Sequence, residues 1–130
     1  MRRAGGIVGN VLDLLKAAVE PGMTTLDLDK IANKEITRQG AKPSFKGYQG
    51  FPASICTSVN EEIVHGIPGK RVLLEGDIVK VDVGATIEGF IGDAAVSIAV
   101  GEVTPEVVAL MDHTRISLEE GIKAAQPGGR

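Results

Sequence analysis

Two runs of sequence decide the fold of this chain: Asp77-Ile78-Val79-Lys80-Val81-Asp82-Val83-Gly84 and Phe90-Ile91-Gly92-Asp93-Ala94-Ala95. In the first run, valines alternate with other residues, which predicts a β-strand with one buried face. Glu88-Gly89 lies between the runs and suits a two-residue hairpin turn. A turn there pairs Val83 with Ala94 and Asp82 with Ala95. The sequence therefore predicts an antiparallel β-hairpin.

The predicted hairpin brings two carboxylates, Asp82 and Asp93, to one face. Because Asp93 lies two residues from Ala95, it is the diagonal neighbour of Asp82, with Cβ atoms about 7–8 Å apart. That separation is too large for a hydrogen bond but suits a pair of metal ions about 3.5–4 Å apart. Spacing alone leaves two alternatives open. In the first, Asp82 and Asp93 are an ordinary edge and turn aspartate. In the second, a one-residue slip of the strand register places them on opposite faces of the hairpin.

Composition and charge restrict the classes of function. The 130 residues are enough for one domain with a modest core. The net charge of −3 argues against a nucleic acid as the main partner, since nucleic-acid-binding surfaces are basic. There is no apolar run of about 20 residues, so no membrane partner is expected. Cys56 is the single cysteine and cannot form an internal disulfide, which favours a reducing, cytoplasmic location.

Helical periodicity predicts two helices before the hairpin. The first spans residues 4–19. The second begins at Thr24-Thr25, where Asp27 completes a capping-box pattern, and Gly40 is its predicted C-terminal cap. A loop rich in Gly and Pro follows, from Ala41 to Ala53.

Strands and a final helix are predicted for the rest of the chain. Besides the hairpin, which continues to about Val100, three short strands are predicted, at residues 54–59, 63–65 and 72–74. Thr104-Pro105-Glu106 predicts the start of a helix that ends before Pro127. Its inner face is expected to comprise Val107, Leu110, Met111, Leu118, Ile122 and Ala125. The fold class is therefore mixed α/β, of the α+β kind, with two N-terminal helices, an antiparallel sheet with hairpins and a long C-terminal helix.

Residues outside the hairpin also carry candidate chemistry. His65 ends a predicted strand, where an imidazole is either a proton donor or substrate ligand, or a surface turn residue. Phe45, Tyr48 and Phe51 lie in the Gly-rich loop and either line an apolar pocket or form the loop's own small core. Cys56 lies in an apolar strand and is predicted to be a pocket or core residue rather than a nucleophile.

A short internal echo links the two ends of the chain. Lys16-Ala17-Ala18-Val19-Glu20-Pro21-Gly22 and Lys123-Ala124-Ala125-Gln126-Pro127-Gly128 both indicate a helix end followed by Pro-Gly. If this echo is a true repeat, a second, similar half would begin where the chain ends.

Several stretches occur in the order and at the spacing of one enzyme family. They are Pro21-Gly22-Met23-Thr24-Thr25-Leu26-Asp27-Leu28-Asp29, Pro43-Ser44-Phe45-Lys46-Gly47-Tyr48-Gln49-Gly50-Phe51-Pro52-Ala53-Ser54-Ile55-Cys56, Ser58-Val59-Asn60-Glu61-Glu62-Ile63-Val64-His65-Gly66-Ile67-Pro68, Gly76 to Gly84, and Gly92-Asp93-Ala94. Across essentially its whole length, the chain resembles the type I methionine aminopeptidases.

The resemblance implies a fold and a site. The fold is the first half of the pita-bread fold, with residues 1–130 forming the N-terminal half of a catalytic domain, truncated at both ends. Asp82 and Asp93 would bind two divalent metal ions, of Co, Mn, Fe or Zn, whose other ligands, a His and two Glu, belong to the second half. His65 would be the catalytic histidine that contacts substrate. The implied methionine pocket is lined by Phe45, Tyr48, Phe51 and Cys56.

The implied reaction is metal-dependent hydrolysis that removes the N-terminal methionine from nascent proteins and peptides in the cytoplasm. The partner is thus a peptide or nascent-protein N-terminus, and the complete enzyme is expected to be monomeric. Because two carboxylates are too few ligands to hold a metal firmly, the 130-residue chain alone is expected to be inactive. Its uncovered apolar surface is expected to make it self-associate. Two alternatives remain, a related proline-directed aminopeptidase and a non-catalytic pita-bread-like binding module.

Overall fold

The computed structural model describes residues 1–129 and contains three α-helices and four β-strands within that range. In chain order they are α1 (Arg2–Ala18), α2 (Thr25–Arg38), β1 (Lys42–Pro43), β2 (Ile55–Val59), β3 (Ile78–Ile87), β4 (Phe90–Ala99) and α3 (Pro105–Ala124). A 3-10 turn, Tyr48–Gly50, lies in the loop between β1 and β2. The predicted class, two helices followed by an antiparallel sheet and a long final helix, is confirmed.

Strand β3 is the centre of the sheet, and the predicted register of its hairpin with β4 is confirmed. Val83 lies opposite Ala94 and Asp82 opposite Ala95. Glu88 and Gly89 form the turn, with φ angles of 52° and 79°. Two consecutive positive φ values are what a tight two-residue hairpin turn requires. Along its other edge, β3 pairs antiparallel with β2 and, nearer the turn, with β1.

One face of the sheet is covered by the first two helices. Helix α1 packs against β3 and β4, and α2 packs against α1, β1 and β2. The alternating valines of β3 are fully buried beneath α1. Gly92 on β4 allows this close contact, because a Cβ there would lie 2.6 Å from the Ala4 carbonyl carbon of α1. Within residues 1–129, no helix packs tightly against the opposite face of the sheet, which carries Asp82.

Local signals at both ends of α2 are realised as predicted. Thr24 is the N-cap, and it exchanges hydrogen bonds with Asp27 in a capping box. At the other end, Gly40 has a φ of 76° and donates its N–H to the Thr37 carbonyl. The Ala41 N–H donates to the Ile36 carbonyl, which completes a Schellman motif. These contacts fix where the chain leaves α2 and enters the loop.

The strand predicted at residues 63–65 is wrong. After the turn at residues 60–62, this segment makes one backbone hydrogen bond to β2, from the Thr57 N–H to the Gly66 carbonyl (2.9 Å). His65 has a φ of 59°, which is incompatible with a strand. The strand predicted at 72–74 is reduced to an isolated bridge between Thr24 and Val72.

The final helix forms as predicted, but its apolar stripe is not buried. Val107 and Met111 are half-buried, whereas the other four residues of the predicted inner face are exposed. The helix lies above the uncovered face of the sheet, and a cavity of ≈ 460 Å³ separates Met111 and Leu118 from β3 and β4. The prediction failed because periodicity identifies an apolar stripe but not what covers it. None of the three helices is both long and apolar enough to cross a bilayer, as judged over residues 1–129.

Candidate metal centre and substrate pocket

Asp82 and Asp93 lie on the same face of the hairpin, the face turned away from α1. Asp82 is half-buried on the central strand β3, and Asp93, opposite Gly84, is exposed on β4. Both residues line the same cavity, and the charge of Asp93 acts on the Asp82 carboxyl.

The surroundings of Asp82 disfavour its negative charge. Burial raises the pKa of the Asp82 carboxyl above its ordinary value, and the charge of Asp93 raises this pKa further. His65 has the opposite effect and lowers it. The Oδ1 atom of Asp82 is buried and has no hydrogen-bond partner. A cation would relieve the repulsion between the carboxylates and also satisfy this oxygen.

The donor set fits a divalent metal ion, though incompletely. Two carboxylates of this kind are ordinary ligands for Zn²⁺ or Mn²⁺. Residues 1–129 contain no group of three or more His, Cys, Asp or Glu side chains placed to hold a metal ion. The described part of the chain thus supplies two carboxylates, fewer ligands than the three or four that protein metal sites normally use.

Cys56 lies directly opposite Asp82, on β2. The thiol is buried, and its burial together with the charges of Asp82 and Asp93 raises its pKa to about 11. The thiol is therefore neutral at physiological pH and unreactive as a nucleophile. This environment agrees with the predicted role as a pocket residue.

All the residues singled out from the sequence lie around one cavity of ≈ 500 Å³. Phe45 and Phe51 form one wall, with ring centroids 6.4 Å apart and rings nearly perpendicular. Gly84 of β3 accommodates the Phe45 ring, because a Cβ at that position would lie 2.6 Å from it. The members of the cavity that were predicted are Phe45, Tyr48, Phe51, Cys56, His65, Asp82 and Asp93. Its apolar wall thus adjoins the two carboxylates.

Sequence reasoning missed four other residues of this lining. They are Gln49, Gly50, Pro52 and Ile67. Each is adjacent, or next but one, to a residue that was identified, so proximity to the aromatic loop and to His65 was the available signal. The other histidine of the sequence, His113, lies exposed on α3 and does not line this cavity.

Comparison with known proteins places this cavity in a family. The chain matches the sequence profile described as metallopeptidase family M24 over residues 1–130. This chain belongs to metallopeptidase family M24. It is 53% identical over 131 aligned residues to the methionine aminopeptidase of Clostridium acetobutylicum, an alignment that covers 100% of the chain and 52% of that protein.

Solved structures agree with the family assignment. The crystal structure of methionine aminopeptidase from Thermotoga maritima superposes with a TM-score of 0.95 at 43% identity, covering 98% of this chain and 51% of that one. Aminopeptidase P from Escherichia coli is less similar, with a TM-score of 0.69 at 26% identity over 79% of this chain and 23% of that one. The predicted partial pita-bread fold is thereby confirmed. The chain spans about half the length of the methionine aminopeptidases it matches.

Proposed function

We propose that this chain forms the first-half wall of a metal-dependent aminopeptidase that removes N-terminal methionine from peptides and nascent proteins. The observation that carries the proposal is the cavity itself, where paired carboxylates adjoin an aromatic, thiol-containing wall. A hydrolase that recognises one apolar side chain needs such a combination, because the scissile bond must lie at the metal while the side chain is buried beside it.

The apolar wall supports methionine as the side chain that is bound. Phe45 and Phe51 meet edge to face, and the neutral Cys56 thiol lies at the carboxylate end of the cavity. A methionine thioether packs favourably against aromatic rings and tolerates an irregular pocket. The role of Tyr48, which is largely exposed at the cavity mouth, is to cover the bound side chain.

Asp82 and Asp93 would hold divalent metal ions in this proposal, two per complete site, with the metal being Co, Mn, Fe or Zn. Such ions lower the pKa of bound water and polarise a carbonyl group. The two aspartates contribute negative charge, and the buried Oδ1 of Asp82 is an acceptor without a hydrogen-bond partner. His65, at the rim of the same cavity, would donate a hydrogen bond to the peptide group next to the scissile bond.

Metal binding by the two aspartates is tested by paramagnetic NMR. Added Mn²⁺ should broaden the signals of β3 and β4 around Asp82 and Asp93, because the ion relaxes nearby nuclei. Asp82→Asn and Asp93→Asn should each abolish the broadening. Asp13→Asn is the matched control, because it removes the same charge from an exposed site on α1 and should leave the broadening unchanged. Broadening that persists in both site variants would exclude these aspartates as ligands.

The substrate class is tested with two peptide series. Peptides that begin Met-Ala should shift the signals of Phe45, Phe51 and Cys56, whereas Xaa-Pro peptides should not. The opposite preference would support the proline-directed alternative. Absence of binding to either series, together with absence of metal binding, would support the non-catalytic binding module.

The isolated chain is expected to be a poor catalyst that self-associates. It should bind metal weakly in titration calorimetry and show negligible turnover of a methionyl peptide, because the described residues provide too few ligands. Exposed apolar side chains, among them Ile63, Leu118 and Ile122, favour association of the 13.6-kDa chain, visible as early elution in gel filtration. A clean monomer, or micromolar metal affinity with turnover, would contradict these expectations. We place the activity in the cytoplasm, on the argument that Cys56 has no disulfide partner.

A further inference from the structure

The segment that carries His65 is attached to β2 at the next residue, Gly66. The Gly66 N–H donates a hydrogen bond to the Ser58 hydroxyl (3.1 Å), and the Gly66 carbonyl accepts one from the Thr57 N–H (2.9 Å). A Cβ on Gly66 would lie 2.1 Å from the Thr57 carbonyl oxygen. Gly66 therefore lies against the edge of β2 at a distance that no other residue type permits.

The other end of the segment is fixed as well. The Asn60 side chain accepts the Ile78 N–H (2.9 Å) and donates to Asp77 (2.8 Å). The Glu62 carboxylate accepts the Val59 N–H (2.7 Å). Between these two anchors His65 has a φ of 59°, a left-handed conformation that is uncommon for a residue with a side chain. The hydrogen bonds at Gly66 are placed to hold His65 in this conformation.

Ser58 connects this anchor to the site. It is buried, and it lies two residues from Cys56 along β2, so the two side chains share the sheet face that carries Asp82. Its partner across the sheet is Lys80, and the Lys80 ammonium donates a hydrogen bond to the carbonyl of Asn60, at the N-terminal end of the segment. Ser58, on the same sheet face as Cys56 and Asp82, therefore holds the backbone of Gly66, the residue after His65.

We propose that Ser58 is a positioning residue for His65, acting through the Gly66 N–H, an inference that rests on the proposed role of His65 in binding the peptide. Within residues 1–129, Ser58 does not line the cavity, so it would act on substrate only through His65. It sets the direction in which the His65 imidazole leaves the backbone. Removal of the hydroxyl frees the Gly66 N–H and lets His65 leave the left-handed conformation.

The test is NMR of the whole chain carrying Ser58→Ala, with Ser58→Thr as the variant that keeps the hydroxyl. In Ser58→Ala, exchange of the Gly66 amide should accelerate about fivefold or more, the factor expected from a hydrogen bond of ordinary net strength. The φ-sensitive coupling of His65 should move toward an averaged value. Signals of His113 on α3 serve as the internal reference, and Ser58→Thr should behave like the unmodified chain.

A Met-Ala peptide separates failure of this inference from failure of the proposed function. In the unmodified chain the peptide should shift signals of both the aromatic wall and His65. In Ser58→Ala the shifts of Phe45 and Phe51 should persist, whereas that of His65 should be lost. If the peptide binds neither protein, the proposed function fails, and the exchange and coupling measurements still decide the role of Ser58.

Two results would overturn the role of Ser58. One is a Ser58→Ala protein in which Gly66 exchange and the His65 coupling are unchanged. The other needs no variant and applies if Ser58→Ala does not fold. In the unmodified chain the Gly66 amide should have a larger protection factor than that of exposed Val64, and equal protection factors would refute the hydrogen bond on which the inference depends.

Discussion

The contact between α1 and β4 gives the sharpest test of the packing described above. In Gly92→Ala the new Cβ would lie 2.6 Å from the Ala4 carbonyl carbon, 2.7 Å from its oxygen and 2.7 Å from the Gly5 nitrogen. Carbon atoms pack at about 3.5–4.0 Å, so the contact is short by about 1 Å. All three atoms belong to the helix backbone, and no side-chain rotation relieves the overlap. Helix α1 must therefore move away from the sheet.

The expected destabilisation follows from the size of that displacement. Overpacking by one methyl group in a well-packed core lowers the free energy of unfolding by about 1–3 kcal/mol. The unfolding entropy of 130 residues is about 0.27 kcal/mol/K. The Tm of Gly92→Ala should accordingly fall by about 4–11 °C.

Gly6→Ala is the matched control, because it makes the same chemical change with the opposite expected sign. Gly6 lies exposed inside α1, and a Cβ there meets no atom within 4 Å. Replacing glycine by alanine in a helix interior raises stability by about 0.5–1 kcal/mol, which corresponds to a Tm about 2–4 °C higher.

The measurement is thermal unfolding followed by circular dichroism at 222 nm, repeated at two protein concentrations, because association makes Tm concentration-dependent. A neutral or stabilising Gly92→Ala would show that α1 does not seat on β4 as described. If the Tm of Gly6→Ala falls as far as that of Gly92→Ala, the loss of stability does not come from the contact between α1 and β4.

Three further predictions concern the core, the pocket and α2. The Thr57 hydroxyl is buried without a hydrogen-bond partner, so Thr57→Val should raise the free energy of unfolding in urea by about 1 kcal/mol, and a loss would reveal an unrecognised partner. Because the pKa of Cys56 is raised from 9.0 to about 11, its thiolate fraction at neutral pH should be roughly 100-fold smaller than that of an ordinary cysteine. Its alkylation by iodoacetamide should be slower in proportion. Asp82→Asn should speed that alkylation, and an unchanged rate would contradict the role of the Asp82 charge. Hydrogen bonds from Thr24, with a smaller contribution from Lys30, lower the pKa of Asp27 from 3.8 to about 2, so its stabilising contribution is present above about pH 4 and is lost as the pH falls toward 2. Asp27→Asn should flatten this part of the dependence of unfolding free energy on pH, and an unaltered profile would refute the assignment.

The hairpin shows how much local sequence settles. Alternation of apolar residues along residues 78–83 fixed which side chains face the core, and Glu88-Gly89 fixed the turn. Because side chains alternate with a period of two, these two signals together leave one register in which all the valines are buried. The same-face arrangement of Asp82 and Asp93 followed directly. The burial that raises the pKa of Asp82 did not, because it depends on which distant parts of the chain pack around that carboxyl group.

The incorrect predictions concern segments that lack the strand pairing or the helix packing that their sequence pattern indicates. Residues 63–65 have the composition of a strand but run beside β2 with a single backbone bond, because Gly66 fits against that strand and His65 turns out of the extended region. The stripe of α3 has the periodicity of a buried helix, yet no described element covers it. Periodicity records which face is apolar, and only the arrangement of other elements decides whether that face is covered.

The sequence by itself determined the three helices, the capping of α2, the hairpin with its register and the set of chemical groups. These depend on residues within a few positions of each other, whose preferences act before the chain is packed. The tertiary structure decided what joins distant residues: the seating of α1 on Gly92, the Phe45 ring on Gly84 and the His65 segment held against β2 at Gly66. Each is a contact in which a missing Cβ allows two parts of the chain to approach. Such distances are fixed by packing, so a glycine in the sequence shows that close approach is allowed but not which backbone approaches.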